Sequence, residues 1–299
     1  MISLNNQLEI RHLHYFLVLA ETLHYGHAAE RLLISQSALS QQIQRLEVIV
    51  KQPLFKRSNR SVELNRAGQL FKKEAEIVIG QLNSSMERWN LALEGHSGML
   101  KIGFVGSAMQ EYLPKKIKEL SERHPKIKFV LQEGSNQIQL EQLEKNLLDI
   151  GFMRSNEVPE IMNFKSVAVE NLCVVLPKEH PITNANFKSI EQFSQESFIL
   201  FPNQQSQLYY QQIISLCASH GFMPKISHQS IHGPTIFKLV ESGLGISVVP
   251  KSLTLATKYK VRFIELEDEP FKTELFAVWK KKTNNEALGI FLKLLGSKI

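Results

Sequence analysis

Residues 66 to 95 form one uninterrupted helical pattern that cannot bury its own apolar side. Small and apolar residues recur there at alternating spacings of four and three, which is the spacing of a coiled-coil seam. They are Phe71, Ala75, Val78, Leu82, Ser85, Trp89 and Ala92. Because a single helix has nothing to cover such a stripe, the pattern predicts a helix that packs against a partner. Gly95 and Gly98 end the pattern, so we expect residues 66–97 to be a linker helix.

After Gly98 the sequence changes to an alternation of strands and helices. Apolar runs such as LKIGFV and LDIGFM are separated by amphipathic stretches, and the alternation continues to the run TELFAVW near the C-terminus. This alternation predicts α/β subdomains with parallel sheets. A chain of 299 residues is long enough for two or three domains. We expect residues 98–299 to form two lobes, with lobe I made of 98–166 and 267–299 and lobe II of 167–266.

The stretch HAAERLLISQSALSQQIQRLE, residues 27 to 47, is typical of two short helices joined by a turn. Leu39, Ile43 and Leu46 repeat at helical spacing on one side, and Ser35 stands where it can cap the second helix. The other side carries short or planar hydrogen-bonding groups, namely Gln36, Ser37, Ser40, Gln41 and Gln44. Gln can bond adenine bidentately and Ser can bond several bases, so this face suits readout of the DNA major groove. A polar but inert helix hairpin is the alternative.

The next segment, PLFKRSNRSVELNRAG, has two strand-like runs around the turn SNR and predicts a β-wing. Lys56, Arg57 and Arg60 lie at its tip. Five Lys and Arg residues and one acid lie between residues 51 and 66, so part of the chain's net charge of +6 is concentrated there. Clustered cations beside a readout helix suit contacts with DNA phosphates, whereas a solvated basic loop is the alternative. We expect residues 1–65 to be a DNA-binding domain.

Together with LHYFLVLAETLHYG before them, these two stretches closely resemble the N-terminal half of LysR-type transcriptional regulators. LKIGFVGS, LDIGFMR and GLGISVVP resemble the effector-binding half of that family, and are most similar to its aromatic-catabolism subgroup. The resemblance implies an α+β chain with a winged helix-turn-helix, a dimerising linker helix and a two-lobed α/β effector domain like type 2 periplasmic binding proteins. It also implies sequence-specific binding to promoter DNA, a small-molecule effector, assembly into a homotetramer, and RNA polymerase as a further partner.

The resemblance also assigns DNA-reading positions to this chain. They fall on Gln36, Ser37, Ser40, Gln41, Arg57 and Arg60. Gln41 departs from the family pattern, since many relatives have Arg there, and this puts one phosphate or guanine contact in doubt. Asn65 stands where Thr is usual, so it must itself cap the helix that follows.

A two-lobed α/β domain binds ligands between its lobes, at the carboxyl ends of strands and beside helix N-termini that favour anions. Four loops meet this description, and their effector-binding candidates are Ser107, Ser135, Asn136, Pro202, Asn203 and Gly233. In relatives that sense aromatic acids or diacids such loops hold the effector carboxylates. We therefore expect an anionic effector, an aromatic acid or a dicarboxylate, although each loop alone could be a capped helix start. Arg154 would pair with a ligand carboxylate or brace the cleft, and we favour the brace.

Other functions have no signature in the sequence. No secretory signal peptide and no apolar run long enough to span a bilayer is found, so we expect a cytoplasmic protein. Cys173 and Cys217 are expected to be buried thiols, with a redox disulfide as the alternative. No P-loop, dinucleotide fingerprint, nucleophile elbow or metal-ligand spacing is found, so we expect no catalytic residue, metal or cofactor. The rival hypotheses are a non-specific architectural DNA-binding protein and an enzyme with a fused DNA-binding domain.

Overall fold

A computed structural model describes residues 8–57, 62–93, 98–255 and 258–296. Its N-terminal part contains three helices followed by a two-stranded hairpin. Their bounds are α1 Ile10–Thr22, α2 Tyr25–Leu32, α3 Gln36–Val50, β1 Phe55–Arg57 and β2 Val62–Leu64. The two strands are antiparallel, with Phe55 opposite Leu64. This arrangement is the winged helix-turn-helix that the sequence predicted.

One apolar cluster holds these helices and the hairpin together. Phe16 is completely buried, and its ring centroid lies 5.5 Å from that of Phe55 and 4.9 Å from that of Phe71. Ala28 and Ala29 of α2 are also buried, and their small side chains allow the helices to approach closely. The N-terminal part therefore has a core of its own.

Two helices in this part begin with the caps that the sequence predicted. The Ser35 hydroxyl accepts a hydrogen bond from the Ala38 N–H (3.2 Å) at the start of α3. The Asn65 side chain accepts one from the Gly68 N–H (2.8 Å) at the start of the following helix, so Asn replaces Thr without loss of the cap. A Cβ at Gly68 would lie 2.1 Å from the backbone oxygen of Leu54, so a larger residue does not fit there.

The following helix, α4, runs over Arg66–Leu93, a length of 28 residues. Ala75 near its start is buried in the N-terminal core. Farther along, apolar side chains are about half exposed or more, namely Val78 (48%), Met86 (50%), Trp89 (58%) and Leu93 (71%). Val78 and Trp89 belong to the predicted seam, whereas Met86 and Leu93 do not. Residues 94–97, where we predicted the helix to end, lie outside the described residues.

The C-terminal unit alternates strands and helices. Its strands are β3 Gly98–Phe104, β4 Ile127–Glu133, β5 Ile150–Met153, β6 Met162–Pro177, β7 Ser197–Leu200, β8 Lys225–Gln229, β9 Ser247–Pro250, β10 Val261–Glu265 and β11 Lys272–Lys280. Its α-helices are α5 Tyr112–Arg123, α6 Asn136–Glu144, α7 Gln207–Ser219, α8 Gly233–Glu241 and α9 Glu286–Leu294, and short 3-10 helices span Ile190–Phe193, Asn203–Gln205 and Lys251–Leu255. None of the described helices combines the length and the apolar character needed to cross a membrane.

The sheets of this unit are mixed, whereas the sequence predicted parallel ones. β3 lies between β4 and β5 and is parallel to both, and β7 is parallel to β8. β11 is antiparallel to β5 and β6, and β9 and β10 are antiparallel to β6. The prediction was wrong for these strands because they pair with strands distant in sequence, to which the strand–helix–strand rule does not apply. The whole chain is accordingly α+β.

β6 is shared by two lobes. Its residues 162–171 pair with β11, and its residues 172–177 pair with β9 and β10. One apolar core lies around β3, β5, β11, α5 and α9, and another around the second part of β6, β7 and α7. We call these the first and the second lobe. β6 continues as one strand through residues 166 and 167, where the sequence prediction divided the lobes, although its register with β11 shifts there.

The two cysteines are free thiols. Cys173 on β6 and Cys217 on α7 are both buried, and burial raises the pKa of each to about 12. The prediction of buried thiols is confirmed, and the alternative of a disulfide is wrong.

Candidate nucleic-acid interface and ligand cavity

α3 separates an apolar side from a polar side. Leu39, Ile43 and Leu46 are completely buried. The positions predicted to read bases lie on the other side, where Gln36, Ser37 and Gln41 are exposed and Ser40 is half-buried. Exposed amides and hydroxyls in the first turns of a rigidly packed helix are the geometry that major-groove readout requires.

Gln42, one residue from this face, has a structural partner. Its Oε1 accepts a hydrogen bond from Nε2 of His12 (3.1 Å), and Nδ1 of His12 accepts one from the Glu9 N–H (3.0 Å). Because Nδ1 is an acceptor, we assign the proton to Nε2 of a neutral ring. His12 is only 1% exposed, and burial lowers its pKa. The ring therefore ties α1 to α3 and holds the reading helix in place.

The hairpin carries Lys56 exposed to solvent, opposite Glu63 on β2. Arg57 ends β1, but its side chain and the whole of Arg60 lie outside the described residues. Arg45 on α3 is a further exposed cation that the sequence candidates did not include. Arg45 could have been found in the sequence because it lies four residues after Gln41, which places both on the same face of the helix.

In the C-terminal unit, a cavity of about 490 Å³ opens between the two lobes. It lies at the carboxyl ends of β3 and β4 and at the N-termini of α6 and α8, as predicted for a ligand site. Four of the six effector candidates line it, namely Ser107, Ser135, Pro202 and Gly233. Apolar side chains form much of the remaining wall, among them Phe104, Met109, Ile138, Phe201, Ile231 and Leu253.

The other two candidates are outside the cavity wall, which corrects the sequence prediction. Asn136 is buried, and its Oδ1 accepts a hydrogen bond from the Arg154 N–H (3.1 Å), so its side chain turns back toward the end of β5. Asn203 is exposed at the start of its 3-10 helix. In both loops the preceding residue, Ser135 or Pro202, is the one that lines the cavity.

Arg154 is buried, and its three guanidinium nitrogens all donate to the protein. Nε donates to Ser107 Oγ (2.8 Å), one terminal nitrogen to Thr273 Oγ1 (3.1 Å), and the other forms an ion pair with Glu170. The Glu170 carboxylate also accepts a hydrogen bond from the backbone N–H of Ser252, in the second lobe. The network therefore links both lobes through β6, and the predicted bracing role of Arg154 is confirmed.

Two of the serines that line the cavity, Ser107 and Ser135, each retain a hydroxyl hydrogen. Ser107 Oγ accepts from Arg154, and Ser135 Oγ accepts from the Ile138 N–H (3.4 Å). A hydroxyl that accepts a hydrogen bond from the protein can donate its own hydrogen elsewhere. Because both serines line the cavity, both hydroxyls can donate to an acceptor on a ligand.

Further polar residues that the candidates did not include also line the cavity, among them a glutamate, a histidine and a glutamine. Glu133 is the last residue of β4, His232 precedes α8, and Gln205 ends a 3-10 helix. His232 Nδ1 lies 3.7 Å from Glu133 Oε1. Glu133 and His232 lie within two residues of the candidates Ser135 and Gly233. They could have been found in the sequence because Glu133 ends β4 and His232 follows β8, where a ligand site is expected.

A helix-turn-helix with a polar reading face, joined to a two-lobed unit with a ligand cavity, defines a ligand-controlled DNA-binding regulator. The family described as bacterial regulatory helix-turn-helix protein, lysR family, matches residues 10–69, and the LysR substrate binding domain matches residues 93–298. The chain belongs to the LysR family of transcriptional regulators. Regulators of this family bind promoter DNA and small-molecule effectors and oligomerise; this chain is one of them and not an enzyme.

Individual relatives match this chain over two thirds of its length or more. It is 32% identical to the HTH-type transcriptional regulator AlsR of Bacillus subtilis (strain 168), over 96% of this chain and 95% of AlsR. The crystal structure of full-length CbnR complexed with its target DNA matches with a TM-score of 0.78 and 22% identity, over 97% of this chain and 99% of CbnR. The BenM effector binding domain with its effector benzoate matches with a TM-score of 0.59 and 22% identity, over 67% of this chain and 91% of that domain. At these identities the two structures show the shared fold.

Proposed function

We propose that the effector is a small monocarboxylate with an apolar body, bound by the hydroxyls of Ser107 and Ser135. The observation that carries this proposal is that both hydroxyls line the cavity and keep a hydrogen for an acceptor. A carboxylate oxygen forms the short, charge-assisted hydrogen bonds that such donors favour. The apolar wall suits a body of the size of an aromatic ring, and about 490 Å³ is an ordinary volume for a small-ligand pocket.

A second carboxylate on the effector fits this cavity less well. Glu133 already places a negative charge in the wall, and the positive charge of Arg154 is matched by Glu170. We therefore favour an aromatic acid over the dicarboxylate that the sequence also allowed. The benzoate bound by BenM supports this choice, and with it a role in aromatic catabolism.

Isothermal titration of the full chain with benzoate tests this proposal. We expect Ser135→Ala to weaken binding roughly tenfold, because one charge-assisted hydrogen bond is lost. Ser227→Ala on β8, outside the cavity wall, is the matched control and should bind like the wild type. Unchanged affinity in Ser135→Ala would contradict the assignment of the hydroxyl, and the absence of binding by any carboxylate would contradict the effector class.

For the DNA-binding half we propose base contacts from α3 and phosphate contacts from the wing. Base contacts are assigned to Gln36, Ser37, Ser40 and Gln41, and phosphate contacts to Arg57 and Arg60. The exposed polar side of α3 supports the first assignment. The shared fold with CbnR, whose structure contains its target DNA, supports the placement of this part on a duplex.

We also propose how the parts act together. Residues 1–65 bind DNA, the linker helix 66–97 pairs two chains through its exposed apolar side chains, and two such dimers form a tetramer. The effector binds one arrangement of residues 98–299 more tightly than the other, and this difference in affinity shifts the spacing of the DNA-reading helices. The assembly acts in the cytoplasm on promoters, with RNA polymerase as a further partner.

A further inference from the structure

One side chain in the cavity wall is a carboxylate, that of Glu133. The Glu133 side chain is 50% exposed and lies against Gly106, where a Cβ would be 2.9 Å from its Oε1. Nδ1 of His232 lies 3.7 Å from the same carboxylate oxygen, which is beyond hydrogen-bond distance. Among the described residues no donor is hydrogen-bonded to this carboxylate. The carboxylate therefore remains available to a ligand.

A second acceptor in the same wall has no partner. The amide oxygen of Gln205 is buried, and no donor reaches it within the described part of the chain. Buried polar groups in folded proteins are almost always paired, and a bound ligand is one of the partners that can satisfy them. Glu133 and Gln205 together indicate a ligand that brings hydrogen-bond donors as well as a carboxylate.

The charges of the cavity lead to the same conclusion. Arg154 is already paired with Glu170, so its charge does not offset that of Glu133. A carboxylate bound at Ser135 would share the cavity with the Glu133 carboxylate, and two negative charges there repel each other. A positive charge on the ligand, close to its own carboxylate, removes this conflict.

We propose that the effector is a zwitterion, an α-amino acid with an apolar side chain. This inference rests on the proposed function and adds an ammonium group to the monocarboxylate. The carboxylate accepts from the hydroxyls of Ser107 and Ser135, and the ammonium, which has three donors, bonds Glu133. Glu133 and Ser135 line the same cavity, so one small ligand can contact both. The apolar side chain then packs against Met109 and Ile138.

Two matched pairs of probes test this proposal by isothermal titration of the full chain. L-Phenylalanine is compared with 3-phenylpropanoate, and L-leucine with 4-methylpentanoate; each pair differs only in the ammonium group. We expect the wild type to bind at least one amino acid roughly tenfold more tightly than its deaminated partner, because a charge-assisted hydrogen bond at a half-exposed site is gained. Glu133→Gln should abolish this preference and bind the deaminated acids as well as or better than the wild type does.

Glu141→Gln, an exposed glutamate on α6 outside the cavity wall, is the control and should keep the preference. Thermal unfolding of both variants shows whether each is folded. Deaminated acids that bind the wild type as tightly as the amino acids would overturn the zwitterion while leaving the carboxylate effector intact. Failure of all four probes and of benzoate to bind would overturn both proposals.

Discussion

The polar groups on the reading face of α3 and those in the cavity of the C-terminal unit are held in position in different ways. On α3, Gln36 and Gln41 are exposed and are positioned by a helix whose other side is buried. In the cavity, Ser107 already bonds Arg154, which in turn bonds Thr273, 119 residues farther along the chain. The face on α3 is thus set by local helical geometry, whereas the cavity depends on contacts between distant segments. A substitution at an exposed position such as Gln36 or Gln41 should therefore alter DNA binding alone, and one in the cavity network should alter stability as well.

The largest effect is expected from Arg154→Met. It leaves the carboxylate of Glu170 in a largely buried position without its partner, which costs about 3–5 kcal/mol in the free energy of unfolding. Urea denaturation of the full chain measures the loss. In the double variant Arg154→Met/Glu170→Met both charges are removed, so part of the stability should return. A single variant as stable as the wild type would show that the network does not brace the lobes.

A smaller and more specific effect is expected from Gln36→Ala. Loss of a bidentate contact with a base reduces discrimination at one base pair by about 1–3 kcal/mol and leaves stability unchanged. Competition binding at fixed salt, with operators changed at single positions, measures this. Arg57→Ala is the contrast, since it should weaken binding to all sequences and lower the salt slope by about one. An equal loss for every operator in Gln36→Ala would refute base readout by this residue.

The smallest effect is expected in the pH dependence of stability that the buried His12 causes in the N-terminal core. Burial lowers the pKa of His12 below its ordinary value of 6.5, so below that pH the unfolded chain takes up a proton more readily than the folded one. The stability that the neutral ring contributes is therefore complete above about pH 6.5 and is lost as the pH falls. Urea denaturation near neutral pH and near pH 5 should show a smaller change in His12→Gln than in the wild type. His14→Gln, exposed on the same helix, should keep the wild-type change.

The features that the sequence predicted correctly depend on neighbours in the chain. The caps by Ser35 and Asn65 follow from local chemistry at helix starts, and the two sides of α3 follow from its periodicity. The wall positions of Ser107 and Ser135 follow from their place after strands. The bracing role of Arg154 could be favoured, but its partners could not be named.

The features that it missed depend on pairing across long separations. The residues of β6 before Asn171 mix polar and apolar side chains without a regular alternation, and only the pairing with β11 shows that they continue the apolar strand after it. Gln42 resembles its exposed neighbours on α3 until its contact with the distant His12 is known. Glu133 could be read as the polar end of an edge strand, and only the position of α8 shows that it belongs to a cavity.

The continuity of β6 has a consequence for how such a regulator can evolve and be engineered. Sixteen consecutive residues supply hydrogen-bonding edges to both halves of the sensor, so neither half can be exchanged for that of a relative by a simple crossover. A recombination point inside this strand would place foreign side chains in two cores at once. Transplanting a new specificity should therefore succeed by changing individual wall residues, and fail by grafting one half.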